Sequence, residues 1–305
     1  MAAVLNSNIA SLYASKNLQT AQSKMADSVE RLSSGLRINR ASDDAAGLGI
    51  TNALTQQING ANQGVRNLND GISLVQTAEG AIAAAQEMGQ RILTLATQGA
   101  NGTLGATERT AIQSEMRQLM TAINGIGTRT AFSGNTLFNV AIASAAGTAK
   151  FTLQVSNTTT DIISLDQTAF KIIGTGTGAG VAATDNATGQ ASDLINKINA
   201  ANVVSAVGAD AATAMQAIIT SANTYITNLS TQRSLLGAYQ NQIEFTVSNT
   251  TELASNLSAA RSNVQDTDYA SETASLTKGQ ILQQAATAML AQANQMPNVI
   301  LSLLK

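Results

Sequence analysis

The sequence contains no histidine, no cysteine and no tryptophan, and its 305 residues include a single proline. Charged residues make up 12% of it and aromatic residues 3%, against roughly 25% charged in an average globular domain. Each absence removes a class of chemistry. Without histidine there is no imidazole base and no Ser-His-Asp triad. Without histidine or cysteine there is no ordinary ligand set for zinc, haem or an iron–sulfur cluster, so no metal or other cofactor is expected. Disulfides cannot form, and cysteine usage therefore says nothing about compartment.

Long hydrophobic runs are missing too. No stretch approaches the ~20 apolar residues that span a bilayer, so membrane insertion is not expected. The beginning of the chain lacks a secretory signal pattern, because Lys16 and Lys24 follow the apolar residues and no continuous apolar stretch exists. If the protein leaves the cell, the expected route uses no cleaved signal. A formal charge of −2 argues against a nucleic-acid partner, which calls for a basic face.

What is present is helical periodicity. From about Asp43 to Gln98, the residues Leu54, Ile58, Ala61, Val65, Leu68, Ile72 and Val75 follow a 4-3-4-3-4-3 spacing, and Ile82 continues it. That is the seam of a long coiled-coil helix. Ser42, Asp43 and Asp44 suit its start and Gly99 its end. A second such stretch runs from about Ala211 to Val264, through Met215, Ile219, Ala222, Ile226, Leu229, Leu236, Ile243 and Val247, with Asp210 at the N-cap position. Each helix would be roughly 80 Å long. A shorter helix near Glu108–Asn124, carrying Ile112, Met116, Leu119 and Ile123, can cover the rest of their apolar surface.

The ends form another matched pair. Residues 4–36 carry Leu5, Ile9, Leu12, Leu18, Met25, Val29, Leu32 and Leu36. Residues 275–304 carry Leu276, Ile281, Leu282, Met289, Leu290 and Met296, then Val299, Ile300, Leu301, Leu303 and Leu304. The expected fold is mainly α with a small β-rich insert: long antiparallel coiled-coil helices are nested, and the terminal helices pair. The insert spans about Phe138 to Gln190, where Thr, Gly and Ala dominate. Phe151, Leu153 and Val155 predict one strand, Ile162, Ile163 and Leu165 a second, and Phe170, Ile172 and Ile173 a third. Residues 125–140, with Gly125, Gly127 and Gly134, predict a hairpin or loop.

Candidate chemistry is thin. The run from Gly174 to Gly180 has G-x-G-x-G-x-G spacing, with no following Lys-Ser/Thr, and reads as a loop rather than a phosphate cradle. The pairs Asp43/Asp44 and Asp266/Asp268 sit at helix starts, where capping explains them better than acid–base catalysis. An enzyme is not expected. The apolar stripes of the two ends are the stronger signal. Two long thin helices cannot cover all of this surface by packing on each other alone, and stripes of this length mark an interaction surface.

The residues at both ends resemble bacterial flagellin. The stretch Glu30-Arg-Leu-Ser-Ser-Gly-Leu-Arg-Ile-Asn39, followed by Ala41-Ser-Asp-Asp-Ala-Ala-Gly47, is similar to that family's N-terminal motif. Ala260-Arg-Ser-Asn-Val-Gln-Asp-Thr-Asp-Tyr-Ala270, Lys278-Gly-Gln-Ile-Leu-Gln-Gln-Ala285, Leu290-Ala-Gln-Ala-Asn-Gln-Met-Pro297 and the ending Leu301-Ser-Leu-Leu-Lys305 are similar to its C-terminal region. The likeness covers about residues 1–140 and 200–305.

The resemblance implies a structural subunit that assembles with copies of itself into the helical flagellar filament used for motility. It implies export through the flagellar type III channel, an extracellular location, and export chaperone and cap proteins as partners. The implied parts are an inner-tube helix at 1–42, a shaft at 43–140 and 196–264, a solvent-facing insert at 141–195, and a second inner-tube helix at 265–305. Self-assembly residues are then Leu5, Ile9, Leu12, Leu32, Leu36, Ile281, Leu282, Met289, Leu290, Leu301 and Leu304, with Arg37, Arg40, Asp43 and Asp44 setting the turn between tube and shaft.

The family also implies recognition by an innate immune receptor, the flagellin-sensing toll-like receptor, through Gln90, Arg91, Leu95, Gln98 and Glu115. Leu93, Thr94 and Thr97 depart from the usual contact stretch there. Core packing for Leu95 and a solvated helix position for Arg91 are the competing readings. A related hook–filament junction protein is the alternative to the filament subunit, since it shares similar terminal helices.

Overall fold

The computed structural model describes residues 8–138, 149–172, 189–200 and 209–303. The helices are α1 (Ile9–Ser34), α2 (Ala45–Gly99), α3 (Ala106–Arg129), α4 (Gly189–Ala200), α5 (Ala209–Gln265) and α6 (Tyr269–Leu303). Two small antiparallel hairpins complete the set: β1 (Ala131–Phe132) with β2 (Asn135–Thr136), and β3 (Ala149–Gln154) with β4 (Ile162–Asp166). The chain forms two compact units, residues 60–253 and residues 1–59 with 254–305. The mainly helical expectation holds.

In the unit of residues 60–253, every seventh position of the predicted seams is core, whereas the positions predicted between them shift: Ile219 and Ile226 are half-buried, and their neighbours Ile218 and Tyr225 are buried instead. Leu68, Val75 and Ile82 of α2 are fully buried, as are Met215, Ala222, Leu229, Leu236 and Ile243 of α5. Met116 and Ile123 of α3 join the same cluster. Side chains seven residues apart therefore face one another along the helices, as a heptad requires. Arg233 of α5 reaches Glu79 of α2 at 3.2 Å and Gln86 at 3.2 Å.

The β3–β4 hairpin docks on α2 through a run of glycines. A Cβ on Gly71 would lie 2.3 Å from Leu153, one on Gly64 would lie 1.6 Å from the Val155 carbonyl oxygen, and one on Gly60 would lie 2.9 Å from Asn157. Between them Asn67 Nδ2 donates to the Gln154 carbonyl at 3.0 Å. Phe151 of β3 meets Phe170 edge to face, with centroids 5.4 Å apart.

Three local expectations need correction. Phe170 and Ile172 do not form a third strand. Asp166 accepts the Thr168 N–H at 2.7 Å, which starts a 3₁₀ turn at Gln167–Phe170, and both apolar residues are buried from that turn. Ile173 and the glycine run 174–180 lie outside the described residues. Gly125 and Gly127 do not end α3, which continues to Arg129 with Ile123 and Gly127 buried. The hairpin is tighter than expected: Ser133 (φ 49°) and Gly134 (φ 81°) make its two-residue turn, and two positive φ values match the right-handed twist of a short hairpin. Helix α4, with Leu194 and Ile198 buried one turn apart, was not among the expected elements, although Leu194, Ile195 and Ile198 carry a helical spacing.

Candidate assembly face of the terminal helices

The second unit is built on α1 and α6. Asn8 caps α1 through its side chain, which accepts the Ser11 N–H at 3.1 Å, and its Nδ2 donates to the Ala293 carbonyl at 2.8 Å. Ser11 donates to Asn294 at 3.0 Å. At the other end Arg31 meets Glu272 at 3.7 Å. These contacts run the two helices antiparallel.

The seam between them is made of small residues. Ala14, Ala21 and Ser28 are the buried positions of α1, seven residues apart. Gly279, Ala286 and Ala293 repeat the same interval on α6 and are buried as well. A Cβ on Gly279 would touch Met25 at 3.5 Å, so the backbones approach closely here. Leu18, Met25, Leu32, Leu276 and Leu290 lie half-buried between these small residues, while other large apolar side chains point outward. Ile9 is 54% exposed, Leu12 72%, Ile281 60% and Met289 65%. Tyr13, Val29, Leu282 and Tyr269 are also exposed. A groove of about 600 Å³, lined by Tyr13, Asn17, Lys24, Leu282 and Met289 among smaller residues, follows the helix pair.

A clasp closes the unit where α1 ends. Gly35 adopts a left-handed conformation (φ 73°) and donates its N–H to the Arg31 carbonyl at 2.8 Å. The next residues pair with the link between α5 and α6: Arg37 N–H donates to Gln265 at 2.6 Å, Thr267 N–H donates to Gly35 at 2.9 Å, and Leu36 bridges Asp266. The Arg37 guanidinium donates to the Val264 carbonyl.

Beyond the clasp, Ile38 is buried. Glu30 holds Asn39 at 2.9 Å and Arg40 at 2.7 Å. The Asp43 carboxylate accepts the main-chain N–H groups of Arg40 and Asn39. These bonds, Arg40's first, hold its pKa below the usual carboxylate value. Asp44 accepts the Gly47 N–H at 2.9 Å and caps α2.

Most of the sequence-predicted positions can therefore be placed. Ile9, Leu12, Ile281, Leu282 and Met289 are exposed, while Leu32, Leu36 and Leu290 are half-buried. Arg37, Arg40, Asp43 and Asp44 come together in one turn. Leu5 and Leu304 lie outside the described residues, and Leu301 lies within α6. In the other unit, Gln90, Arg91 and Gln98 are exposed, and Arg91 pairs with Glu115 at 2.7 Å. Leu95 is 2% exposed and belongs to the helical core. Sequence reasoning missed the small-residue heptad, because it followed the large apolar side chains. The interval of seven from Ala14 to Ala21 to Ser28 was the available signal.

Among the described residues no cluster of acidic side chains could hold a metal ion, and no helix is long and apolar enough to cross a membrane.

Residues 5–142 match the bacterial flagellin N-terminal helical region, and residues 217–304 match the bacterial flagellin C-terminal helical region. The chain is 37% identical to a flagellin of Bacillus subtilis, over 99% of each chain. It is 36% identical to a flagellar filament 33 kDa core protein of Treponema phagedenis, over 99% of this chain and all of that one. Among solved structures, a putative flagellar hook-associated protein from Vibrio parahaemolyticus has the same fold over 73% of this chain and all of its own, with a TM-score of 0.59 and 14% identity. Full-length relatives, both terminal regions and the nested helices agree: the chain belongs to the bacterial flagellin family, the structural subunits of the flagellar filament.

Proposed function

We propose that this chain polymerises with copies of itself and that the α1–α6 pair drives the assembly. The observation that carries this reading is the row of large apolar side chains, Ile9, Leu12, Ile281, Leu282 and Met289, that the pair leaves exposed. Exposed Leu, Ile and Met side chains are worth about 1.5–3 kcal/mol each when buried. A repeated screw contact between copies buries them without closing a ring. Residues 1–42 and 265–305 then form the inner tube, 43–140 and 196–264 the shaft, and 141–195 the outward insert.

Removing residues 1–36 tests this reading. The expected product is a helical monomer that forms no filaments under the electron microscope. Filaments from this truncation would overturn the assignment.

The same reading places the protein outside the cell after type III export. A chaperone grips the C-terminal segment and a cap protein guides addition. No catalytic role accompanies assembly. Recognition by the flagellin-sensing receptor is assigned to the accessible residues Gln90, Arg91, Gln98 and Glu115, with Leu95 packing beneath them. Arg91→Ala should lower receptor-reporter signalling by the purified monomer. An unchanged dose response would remove Arg91 from that surface.

A further inference from the structure

Three Asn-Gly dipeptides occur in the chain, at Asn59, Asn101 and Asn124. Asparagine before glycine is chemically fragile wherever the glycine nitrogen can reach the side chain, since no Cβ hinders the approach. Two of the three are protected. Asn59 lies inside α2 and Asn124 inside α3. In a helix the following N–H is bonded four residues back, and the fixed backbone holds that nitrogen away from the preceding carboxamide. Gly60 is further hemmed in by Asn157, and the Asn124 side-chain oxygen is buried.

Asn101 differs on each count. It is exposed, in the turn between α2 and α3, and nothing lies within 4 Å of a Cβ placed on Gly102. Its Oδ1 accepts the Thr103 N–H at 3.3 Å. That bond folds the carboxamide back over the Gly102 peptide and draws electron density from Cγ.

We propose that Asn101 is a site of spontaneous modification, by deamidation through a succinimide. The Gly102 nitrogen attacks Cγ of Asn101, and the new N–Cγ bond replaces the Cγ–Nδ2 bond. The proton lost from the Gly102 nitrogen ends on the departing ammonia. Water then opens the ring at either carbonyl carbon, giving aspartate or isoaspartate. One water is consumed and one ammonia released, with no redox partner.

Charged groups of both signs flank the turn. Arg109 is 3% exposed, and its guanidinium donates to the Asn101 carbonyl at 3.3 Å. Among the described residues, no carboxylate lies within ion-pair distance of it. The N-cap of α3 is Gly105, which has no side chain to offer the helix terminus. Aspartate at position 101 therefore arises in a turn whose main chain holds the buried Arg109, with the Glu108 carboxylate already in the first turn of α3. The isoaspartate form adds a methylene to the main chain, in a turn closed by Asn101 N–H on Gln98 and Leu104 N–H on Asn101.

The test is peptide mapping by mass spectrometry after weeks in mildly alkaline buffer, with a parallel sample in chaotrope. Trypsin separates the three sites, because Arg66, Arg91, Arg109 and Arg117 lie between them. In the folded chain, the Asn101 peptide should gain one mass unit and split into two species, at least about tenfold faster than the peptides of Asn59 and Asn124, while in chaotrope the three rates converge as backbone restraint is lost. Gly102→Ala should slow the folded-state reaction by about tenfold with helix content unchanged. Equal folded-state rates at the three sites, or no effect of Gly102→Ala, would overturn the proposal.

Discussion

The carbonyl oxygen of Val155 occupies the place where a side chain on Gly64 would begin, 1.6 Å from an ideal Cβ. Alanine normally favours a helix over glycine by about 1 kcal/mol. At position 64 the clash is with backbone and cannot be relieved by a rotamer. Gly64→Ala should therefore destabilise the protein by roughly 1–3 kcal/mol, as overpacking does. Gly80 in the same helix has open space around it. Gly80→Ala should raise stability by about 0.5–1 kcal/mol. Chemical denaturation of the two variants gives the comparison, and a stabilised Gly64→Ala would contradict the docking.

Tyr225 is 3% exposed, and its hydroxyl has no hydrogen-bond partner among the described residues. Burial pushes its pKa upward, the same desolvation seen from the acid–base side. Tyr225→Phe removes the unpaired group and keeps the ring. The unfolding free energy should hold or rise, by up to about 1 kcal/mol. A loss above that size would reveal a partner for the hydroxyl.

Gly35 combines a left-handed backbone with the Tyr269 hydroxyl 3.0 Å from an added Cβ. Gly35→Ala should cost about 1–2 kcal/mol locally and loosen the clasp. Limited trypsin digestion should then cut after Arg37 and Arg40 sooner than in the parent chain. Unchanged cleavage times would show that the clasp does not depend on this cap.

Asp43 makes the same strap sensitive to acid. Its folded pKa lies below the ordinary carboxylate value, through main-chain N–H donors. The stabilisation is therefore present above the unfolded pKa of about 3.9 and disappears as pH falls through the lower folded value. At neutral pH the protonated state is approximated by Asp43→Ala, which removes both bonds. Trypsin should cut that variant faster after Arg40. Equal rates would mean that Ile38 and Glu30 hold the strap without it.

The exposed and buried positions of the terminal pair should separate folding from assembly. Met289→Ala should change monomer stability by no more than about 0.5 kcal/mol. It should raise the concentration needed for polymerisation by about tenfold. Ala286→Leu should instead disrupt the helix pair itself, at a cost of roughly 1–3 kcal/mol. Sedimentation across a concentration series reads both.

Long-range organisation was legible because it rests on repetition. Leu68, Val75 and Ile82 announce their seam at every second turn, and the structure buries all of them. Short elements were less legible, since a single hydrogen bond decides them. Asp166 turns the chain at Thr168, so the alternation of Phe170 and Ile172 comes from a 3₁₀ turn rather than a strand. At the candidate site, the polar turn of Arg37, Arg40, Asp43 and Asp44 could be read as a unit. Its partners could not, because Val264 and Gln265 contribute only main-chain carbonyls, which carry no residue signature.

The small-residue heptad has a kinetic consequence as well. Alanine and glycine bury little area and lose almost no rotamer freedom. Ala14, Ala21, Gly279 and Ala286 therefore lose little freedom when they part and rejoin, while the half-buried Leu18, Met25, Leu32 and Leu290 supply the larger contacts of the pair. In the proposed filament, neighbouring copies would add to the order of the pair by mass action. Under the proposed assembly, a chain arriving at an existing end would meet a ready partner for Leu12 and Met289, whereas two free chains would have to align both pairs at once. Elongation is thereby favoured over nucleation.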